Sequence, residues 1–235
     1  MKRLPSLTIF FPCYNEEGNV ERVTRAASEA ARDLAETFEV IVVNDGSRDR
    51  TGEIADRLAA EIPEVRAVHN RPNRGYGGAV ARGLTEARME WIFFTDGDGQ
   101  FDIAELPKLI DLLDRGDVAV GYRLERADPW IRKLNAACWG RLVRLLFRLK
   151  VRDIDCAFKL LPRSLIDAIE LHSEGALIST ELLAKAAGRG LRIVETGVHH
   201  YPRTAGTQTG ANLKVILKAF YELFKLRRRI RREGR

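Results

Sequence analysis

Residues 91–102 read Trp91-Ile92-Phe93-Phe94-Thr95-Asp96-Gly97-Asp98-Gly99-Gln100-Phe101-Asp102. An apolar run ends abruptly in an alternating acidic segment. The run reads as a buried strand, so the acids lie at a strand's carboxyl end, where open parallel sheets bind ligands. Asp96 and Asp98 are two apart, which puts both carboxylates on one side of an extended chain, and Gln100 continues that side. Gly97 and Gly99 let the backbone bend and a ligand come close. Three alternating oxygen donors suit a hard divalent cation, Mg²⁺ or Mn²⁺, with water and a substrate diphosphate completing its shell. An EF-hand loop starts in the same way, but its positions 6 and 12 would be Phe101 and Pro107 in place of Gly and Glu, which excludes it.

Before this segment the chain alternates short apolar runs with helical patterns. Strands are expected at Leu7–Phe11, Phe38–Val43, Val65–His69 and Trp91–Thr95, and helices at Glu16–Leu34, Thr51–Glu61 and Tyr76–Arg88. Continuous apolar strands separated by helices predict an α/β fold with a mostly parallel sheet covered on both faces. Further on, strands are expected at Asp117–Gly121, Ala157–Leu161 and Arg192–His199. Helices are expected at Trp130–Lys150, Ser179–Gly188 and Ala211–Ile230. The reading is one domain over 1–210 with an amphipathic basic extension over 211–235.

Apolar residues make up 45% and charged residues 31% of the 235, a composition that excludes a disordered or membrane-embedded chain. No apolar run approaches the roughly 20 residues of a membrane span. The basic-then-apolar start reads as a first strand rather than a signal peptide, because it ends at Pro12 without a small-residue cleavage site. Three scattered cysteines, Cys13, Cys138 and Cys156, offer neither a disulfide framework nor a zinc pattern and fit a reducing, cytoplasmic location.

The net charge of +6 is unevenly placed. Residues 130–150 carry six basic side chains and no acid, and residues 212–235 carry nine basic and two acidic, so the remainder is net acidic. Apolar stripes accompany both segments: Trp130, Leu134, Ala137, Cys138, Leu142, Leu145 and Leu149 in the first, Leu213, Ile216, Leu217, Phe220, Leu223 and Phe224 in the second. Such helices are drawn to an anionic membrane surface, which predicts peripheral association with the membrane. No nucleic-acid-binding motif accompanies the charge, so nucleic acid is not an expected partner. No P-loop is present, and Val80 breaks the dinucleotide fingerprint that Gly75-Tyr76-Gly77-Gly78 begins. His199 and His200 are adjacent on a strand and point to opposite faces, so they would not share one ion.

With these residues in hand, the chain resembles the family 2 glycosyltransferases of the GT-A type, and within them the dolichol- or polyprenol-phosphate sugar synthase branch. Phe11-Pro12-Cys13-Tyr14-Asn15-Glu16-Glu17 is similar to the family's start after strand one, and Asn44-Asp45-Gly46-Ser47-Arg48-Asp49-Arg50-Thr51 to its second motif. Asn73–Ala79, Asp96–Gln100, Gly121-Tyr122-Arg123, Arg152–Phe158 and Tyr201–Gly206 follow in the family's order. The resemblance implies a Rossmann-like GT-A sheet and an inverting, metal-dependent sugar transfer. The donor would be a nucleotide diphosphate-sugar, such as GDP-mannose or UDP-glucose, and the acceptor polyprenol phosphate or another lipid-linked acceptor. It implies that Pro12, Tyr14, Glu16, Asp45 and Asp96 hold the nucleotide-sugar. Asp96, Asp98 and Gln100 would hold the metal and diphosphate, and Arg123, Arg132 and Arg203 would meet phosphates. Asn44 stands where the family has Asp, Ala157 where it has Gly, and Thr207-Gln208-Thr209 where lipid-phosphate members carry Ser and Lys.

A phosphate acceptor is largely dianionic at neutral pH, its second pKa being about 6 as in phosphoserine, and needs no general base. A hydroxyl acceptor, on a polysaccharide or lipid-linked sugar, needs one, and Asp153 or Asp155 is then the candidate, with Glu181 a further carboxylate in view. A non-catalytic nucleotide-sugar-binding or scaffold protein is the remaining alternative.

Overall fold

The computed structural model describes the backbone of residues 2–124, 130–203 and 213–233, and the side chains of 2–124, 139–203 and 222–232. The first half alternates strictly: β1 (Leu4–Cys13), α1 (Val20–Leu34), β2 (Ala35–Asn44), α2 (Thr51–Glu61), β3 (Val65–His69), α3 (Gly75–Glu86) and β4 (Trp91–Phe94). A 3₁₀ turn (Ile103–Glu105), α4 (Leu106–Leu112), β5 (Val118–Arg123), α5 (Trp130–Phe147), β6 (Lys159–Pro162), α6 (Arg163–Ala168), α7 (Ile178–Gly188), β7 (Ile193–Val198) and α8 (Leu213–Glu233) follow.

The seven strands form one sheet in the order β3-β2-β1-β4-β6-β5-β7. All neighbours are parallel except β6, which runs antiparallel between β4 and β5. The chain winds outward from β1 through β2 to β3, then returns to lay β4 on the other side of β1. This reversal of winding opens a crevice beyond the carboxyl ends of β1 and β4. Leu7, Ile9, Phe10 and Phe11 are fully buried, as a strand covered on both faces requires. Phe10 meets α3 at Gly83, where a Cβ would stand 2.2 Å from the ring, so that helix rests directly on the strand.

The bounds of α2 and β3 agree with the sequence reading. Other elements differ. The first helix begins at Val20, not Glu16, because Asn15 adopts a left-handed φ of 57° and the Glu16 carbonyl accepts the Asn19 and Val20 amides, closing a turn before the helix. The strand expected at Ala157–Leu161 is β6, at Lys159–Pro162, which lies antiparallel inside the sheet, and the short helices α4 and α6 have no counterpart in the sequence reading.

The helical stripes are corrected in part: Leu142, Leu149 and Leu223 pack in the core as expected, and the side chains of Leu213, Ile216, Leu217 and Phe220 lie outside those described. In α5 Leu145 is 78% exposed, whereas Val143 is buried and Trp139, Leu142 and Leu146 pack against the core. Spacings of three and four residues define that face, and Leu149, beyond the left-handed Arg148 that ends the helix, is buried as well. Trp130, Arg132, Leu134, Ala137 and Cys138 lie outside the residues whose side chains are described. In α8 Leu223 and Leu226 are buried and Ile230 packs beside them, while Phe224 is exposed. The helix contacts α5 and α7, so it is docked on the domain through this face.

Candidate active site

Two turns build the first half of the site. The turn after β1 and the turn after β2 hold each other by hydrogen bonds between backbone and short polar side chains. Asn15 N donates to Ser47 Oγ (3.0 Å) and Arg48 N to Asn15 Oδ1 (2.8 Å). Glu16 N donates to Thr51 Oγ1 (2.8 Å), Glu17 N to Asp49 Oδ2 (3.1 Å) and Arg50 N to Glu17 Oε2 (3.1 Å). Both polar motifs of the sequence are therefore spent largely on each other. Asp45, almost fully buried between them, accepts at Oδ1 from Asn70 Nδ2 (2.8 Å) and Arg74 N (2.9 Å). That grip orients the carboxylate and leaves Oδ2 for a ligand.

The acidic segment supplies the other half. Gly97 passes so close to β1 that a Cβ would lie 2.5 Å from Cys13 Sγ and 2.8 Å from the Pro12 carbonyl. Glycine between the two aspartates is thus a steric requirement. Pro12, Tyr14, Glu16, Asp45, Asp96, Asp98 and Arg203 line one cleft of about 480 Å³ with Asn73 and Tyr76. Arg203 pairs with Glu16 and lies 3.8 Å from Asp98 Oδ2. Gln100 is not on the cleft wall: its side-chain amide donates to the Tyr201 carbonyl (2.7 Å), while Tyr201 N donates to the Gln100 carbonyl (2.8 Å). Gln100 therefore ties the acidic segment to the chain that carries Arg203.

Burial pushes the Asp96 carboxyl up to about 6, and the Asp98 charge adds to that shift. A hydrogen bond from Tyr76 and the charges of Lys159 and Arg123 oppose it. Asp96 Oδ1 is buried with no hydrogen-bond partner. Among the described residues no three His, Cys, Asp or Glu converge as a complete metal cage. Two carboxylates with an unpaired buried oxygen, open to a cleft, nevertheless fit a cation that keeps water and substrate phosphate in its shell. The Cys13 thiol is pushed up by burial and the surrounding carboxylates, which makes it inert packing.

Sequence reasoning missed Lys159 and Tyr76 as site residues. Lys159 is fully buried on β6, its ammonium donating to the Cys156 carbonyl and to Ser179 Oγ (3.3 Å) and lying 5.4 Å from the centroid of the Phe94 ring. Its signal was a lysine inside an otherwise apolar strand. Tyr76 was visible as the one aromatic in a glycine-rich helix start.

The other candidates among the described residues lie off the cleft wall. Arg123 Nε and Nη2 grip Asp153 Oδ2 and Oδ1 at 2.7 and 2.9 Å. Burial lowers the Arg123 pKa, but the Asp153 pair outweighs it, so the guanidinium stays charged. With both oxygens engaged, Asp153 anchors the arginine and is poorly placed to take a proton. Asp155 is exposed, and its charge reaches Tyr76, Arg123 and Lys159. Glu181 is no surface acid: fully buried, it accepts from His172 N (3.0 Å) and Ser173 N (2.8 Å) and pairs with Lys185 (3.2 Å). His199 and His200 lie just past the end of β7 and have separate partners: His199 bonds Glu105 (2.5 Å), and His200 meets the Phe101 ring.

The raised Asp96 pKa has a stability consequence. An acid whose folded pKa exceeds its ordinary 3.8 destabilises the fold wherever it must ionise, fully above about pH 6 and progressively less as pH falls towards 3.8. Asp96→Asn is expected to raise the Tm of the metal-free protein at pH 8 by about 2–4 °C, the shift for roughly 1 kcal/mol in a chain of this size. The gain should shrink as pH falls below about 6. Scanning calorimetry at pH 8 and pH 5 checks this; an unchanged or lowered Tm at pH 8 contradicts the account.

Comparison with known proteins agrees with this architecture. Residues 8–169 match the family described as "Glycosyl transferase family 2". An uncharacterized glycosyltransferase of Mycobacterium tuberculosis is 30% identical over 226 residues, covering 94% of this chain and 97% of its own. The glycosyltransferase AglD of Haloferax volcanii is 34% identical over 207 residues, 84% of this chain, but this chain spans only 33% of AglD's length. A dolichol-phosphate mannosyltransferase of Pyrococcus furiosus is 29% identical over 228 residues, 93% of this chain and 62% of its own. Among solved structures, mannosyl-3-phosphoglycerate synthase from Rubrobacter xylanophilus superposes with a TM-score of 0.71 at 16% identity, covering 97% of this chain and 75% of its own. Glucosyl-3-phosphoglycerate synthase from M. tuberculosis, crystallised with Mn²⁺, UDP and phosphoglyceric acid, gives 0.67 at 20% identity, covering 96% and 76%. These two likenesses establish the GT-A fold, and the sequence matches establish the kinship: the chain belongs to glycosyltransferase family 2.

Proposed function

We propose that this glycosyltransferase moves a sugar, with inversion, from a nucleoside diphosphate-sugar to a polyprenol phosphate. The observation that carries the reading is the convergence of Asp45, Asp96 and Asp98 on one cleft, with an unpaired buried oxygen on Asp96. Asp45, held at Oδ1, presents Oδ2 to the N–H groups of a nucleobase. A divalent cation, Mg²⁺ or Mn²⁺, held by Asp96 and Asp98 would supply Lewis-acid stabilisation of the charge on the departing diphosphate. Arg203, poised between Glu16 and Asp98, is a guanidinium on the cleft wall that would meet that diphosphate. The Tyr76 hydroxyl bonds Asp96, and the Lys159 charge favours its ionised form.

Two considerations favour a phosphate acceptor over a hydroxyl. The Asp153 carboxylate, a base candidate for a hydroxyl, is locked against Arg123. Relatives include proteins named dolichol-phosphate mannosyltransferase and undecaprenyl-phosphate 4-deoxy-4-formamido-L-arabinose transferase. Incubating UDP- and GDP-sugars with a short polyprenol phosphate and Mg²⁺ or Mn²⁺, with products read by mass, tests the reading. A polyprenyl monophosphate sugar and free nucleoside diphosphate are expected. Asp98→Ala should cut turnover by about 10²–10³-fold, the scale of losing one charge-stabilising group. Transfer to hydroxyl acceptors alone would overturn the phosphate reading.

We further propose that the docked α8 presents its exposed Lys225, Arg228, Arg231 and Arg232, with Phe224, to the cytoplasmic face of an anionic membrane. No helix among the described residues is long and apolar enough to cross a membrane. Each basic residue near an anionic surface contributes about 1 kcal/mol. Because Leu226 is buried, truncating the tail would disturb the fold, and charge removal is the cleaner test. Replacing these four residues by Gln should reduce co-sedimentation with anionic liposomes at least about tenfold at low salt. Equal sedimentation of both proteins would remove the helix from membrane binding.

A further inference from the structure

Asn44 departs from the family pattern, and it is not on the cleft wall. It ends β2 directly opposite His69, the last residue of β3. Its side chain has two partners. Ser47 N donates to Asn44 Oδ1 (3.0 Å), and Asn44 Nδ2 lies 3.0 Å from His69 Nδ1. A backbone N–H is always a donor, so the atom it meets must be the amide oxygen, and the orientation of Asn44 is forced. Asn44 Nδ2 then donates, His69 Nδ1 must accept, and the imidazole proton sits on Nε2. That nitrogen lies 2.9 Å from Asp56 Oδ1 on α2, an acceptor. Every donor in the series meets an acceptor only if His69 is neutral and protonated at Nε2.

The series leads to the cleft. Ser47, whose amide Asn44 holds, accepts at Oγ from Asn15 N (3.0 Å), and Asn15 follows the cleft residue Tyr14. The residue after His69 makes a parallel link: Asn70 N donates to the Asn44 carbonyl (2.9 Å), and Asn70 Nδ2 grips Asp45 Oδ1 (2.8 Å). The first turn of α2 makes room for the pair. A Cβ on Gly52 would stand 2.8 Å from Asn44 Nδ2 and 3.7 Å from His69 Cε1. Asn44 is nearly buried, whereas Asp56 is largely exposed, so the inner bond to Asn44 is the better shielded of the two.

We infer that His69 is a positioning residue for the nucleoside half of the cleft: its neutral Nε2–H imidazole holds Asn44, and through Asn44 and Ser47 it sets the two linked turns that carry Tyr14 and Asp45. Asn44 and His69 form a matched pair. A carboxylate in place of the Asn44 amide would offer Nδ1 only an acceptor, and Nδ1 would then need a proton of its own. The inference rests on reading the cleft as a nucleoside diphosphate site.

Two measurements on the full chain test it. In long-range ¹H–¹⁵N spectra of wild-type protein, His69, assigned by its loss in His69→Gln, should show a protonated Nε2 and an unprotonated Nδ1. In Asn44→Asp both nitrogens should carry protons. In calorimetric titrations with UDP and GDP in the presence of Mg²⁺, His69→Ala should weaken binding by about three- to tenfold, the effect of one hydrogen bond of ordinary net strength. His69→Gln, whose amide can accept from Asn44 and donate towards Asp56, should stay within about twofold of wild type, and kcat at saturating donor should be unchanged in both. A wild-type His69 protonated at Nδ1, or a folded His69→Ala that binds as tightly as wild type, overturns the inference alone. Wild-type protein that binds neither nucleotide overturns the donor reading and this inference with it.

Discussion

Four carboxylates, Glu16, Asp45, Asp96 and Asp98, are held around one cleft at the carboxyl ends of β1, β2 and β4, and their mutual repulsion is the constraint the site is built around. Each carboxylate there has been given a counterweight: Asn70 and the Arg74 amide for Asp45, Arg203 for Glu16 and Asp98, Tyr76 and Lys159 for Asp96. The balance is incomplete. Asp96 keeps an unpaired buried oxygen and a carboxyl that titrates near 6. On the proposed function, the fold gives up stability for a site that a cation and diphosphate would satisfy.

The scaffold keeps this cluster rigid by close backbone approach more than by side-chain bulk. Gly97 lets the acidic segment touch β1, and Gly83 lets α3 lie on Phe10. At Gly77 a Cβ would stand 2.5 Å from the backbone of Glu174 and Gly175. The loop it meets is clamped from behind by the buried Glu181–Lys185 pair. Tyr76 therefore reaches Asp96 from a helix start that is fixed on one side by the sheet and on the other by that loop.

What the sequence revealed follows from which physical signals are local. Strands β1 to β4 were legible because continuous apolar runs alternated with helices that begin and end at clear boundaries, as at Thr51 and Glu61. The antiparallel position of β6 was not, because four residues carrying a buried lysine give no hint of their neighbours. In α5 periodicity placed Leu142 correctly but took the exposed Leu145 in place of Val143 and Leu146, which tertiary contacts cover. Asp96 and Asp98 were read from their alternation after an apolar strand, Asp45 and Arg203 from motif order, and the structure brings all four to one cleft. Lys159 acts through burial, Tyr76 through a contact spanning 20 residues, and the Asn44–His69 bond across two strands; none of these is encoded in local spacing.

The most direct test of the account is whether nucleoside diphosphate binding depends on the acidic pair and a divalent cation together. Calorimetric titration of UDP and GDP into wild-type protein and Asp96→Asn, each with Mn²⁺ and with EDTA, measures this. The account predicts binding at one nucleotide per chain for wild type in Mn²⁺, strongly weakened by EDTA and equally weakened by Asp96→Asn. Undiminished affinity in EDTA, or an Asp96→Asn protein that binds the Mn²⁺–nucleotide as tightly as wild type, would contradict it.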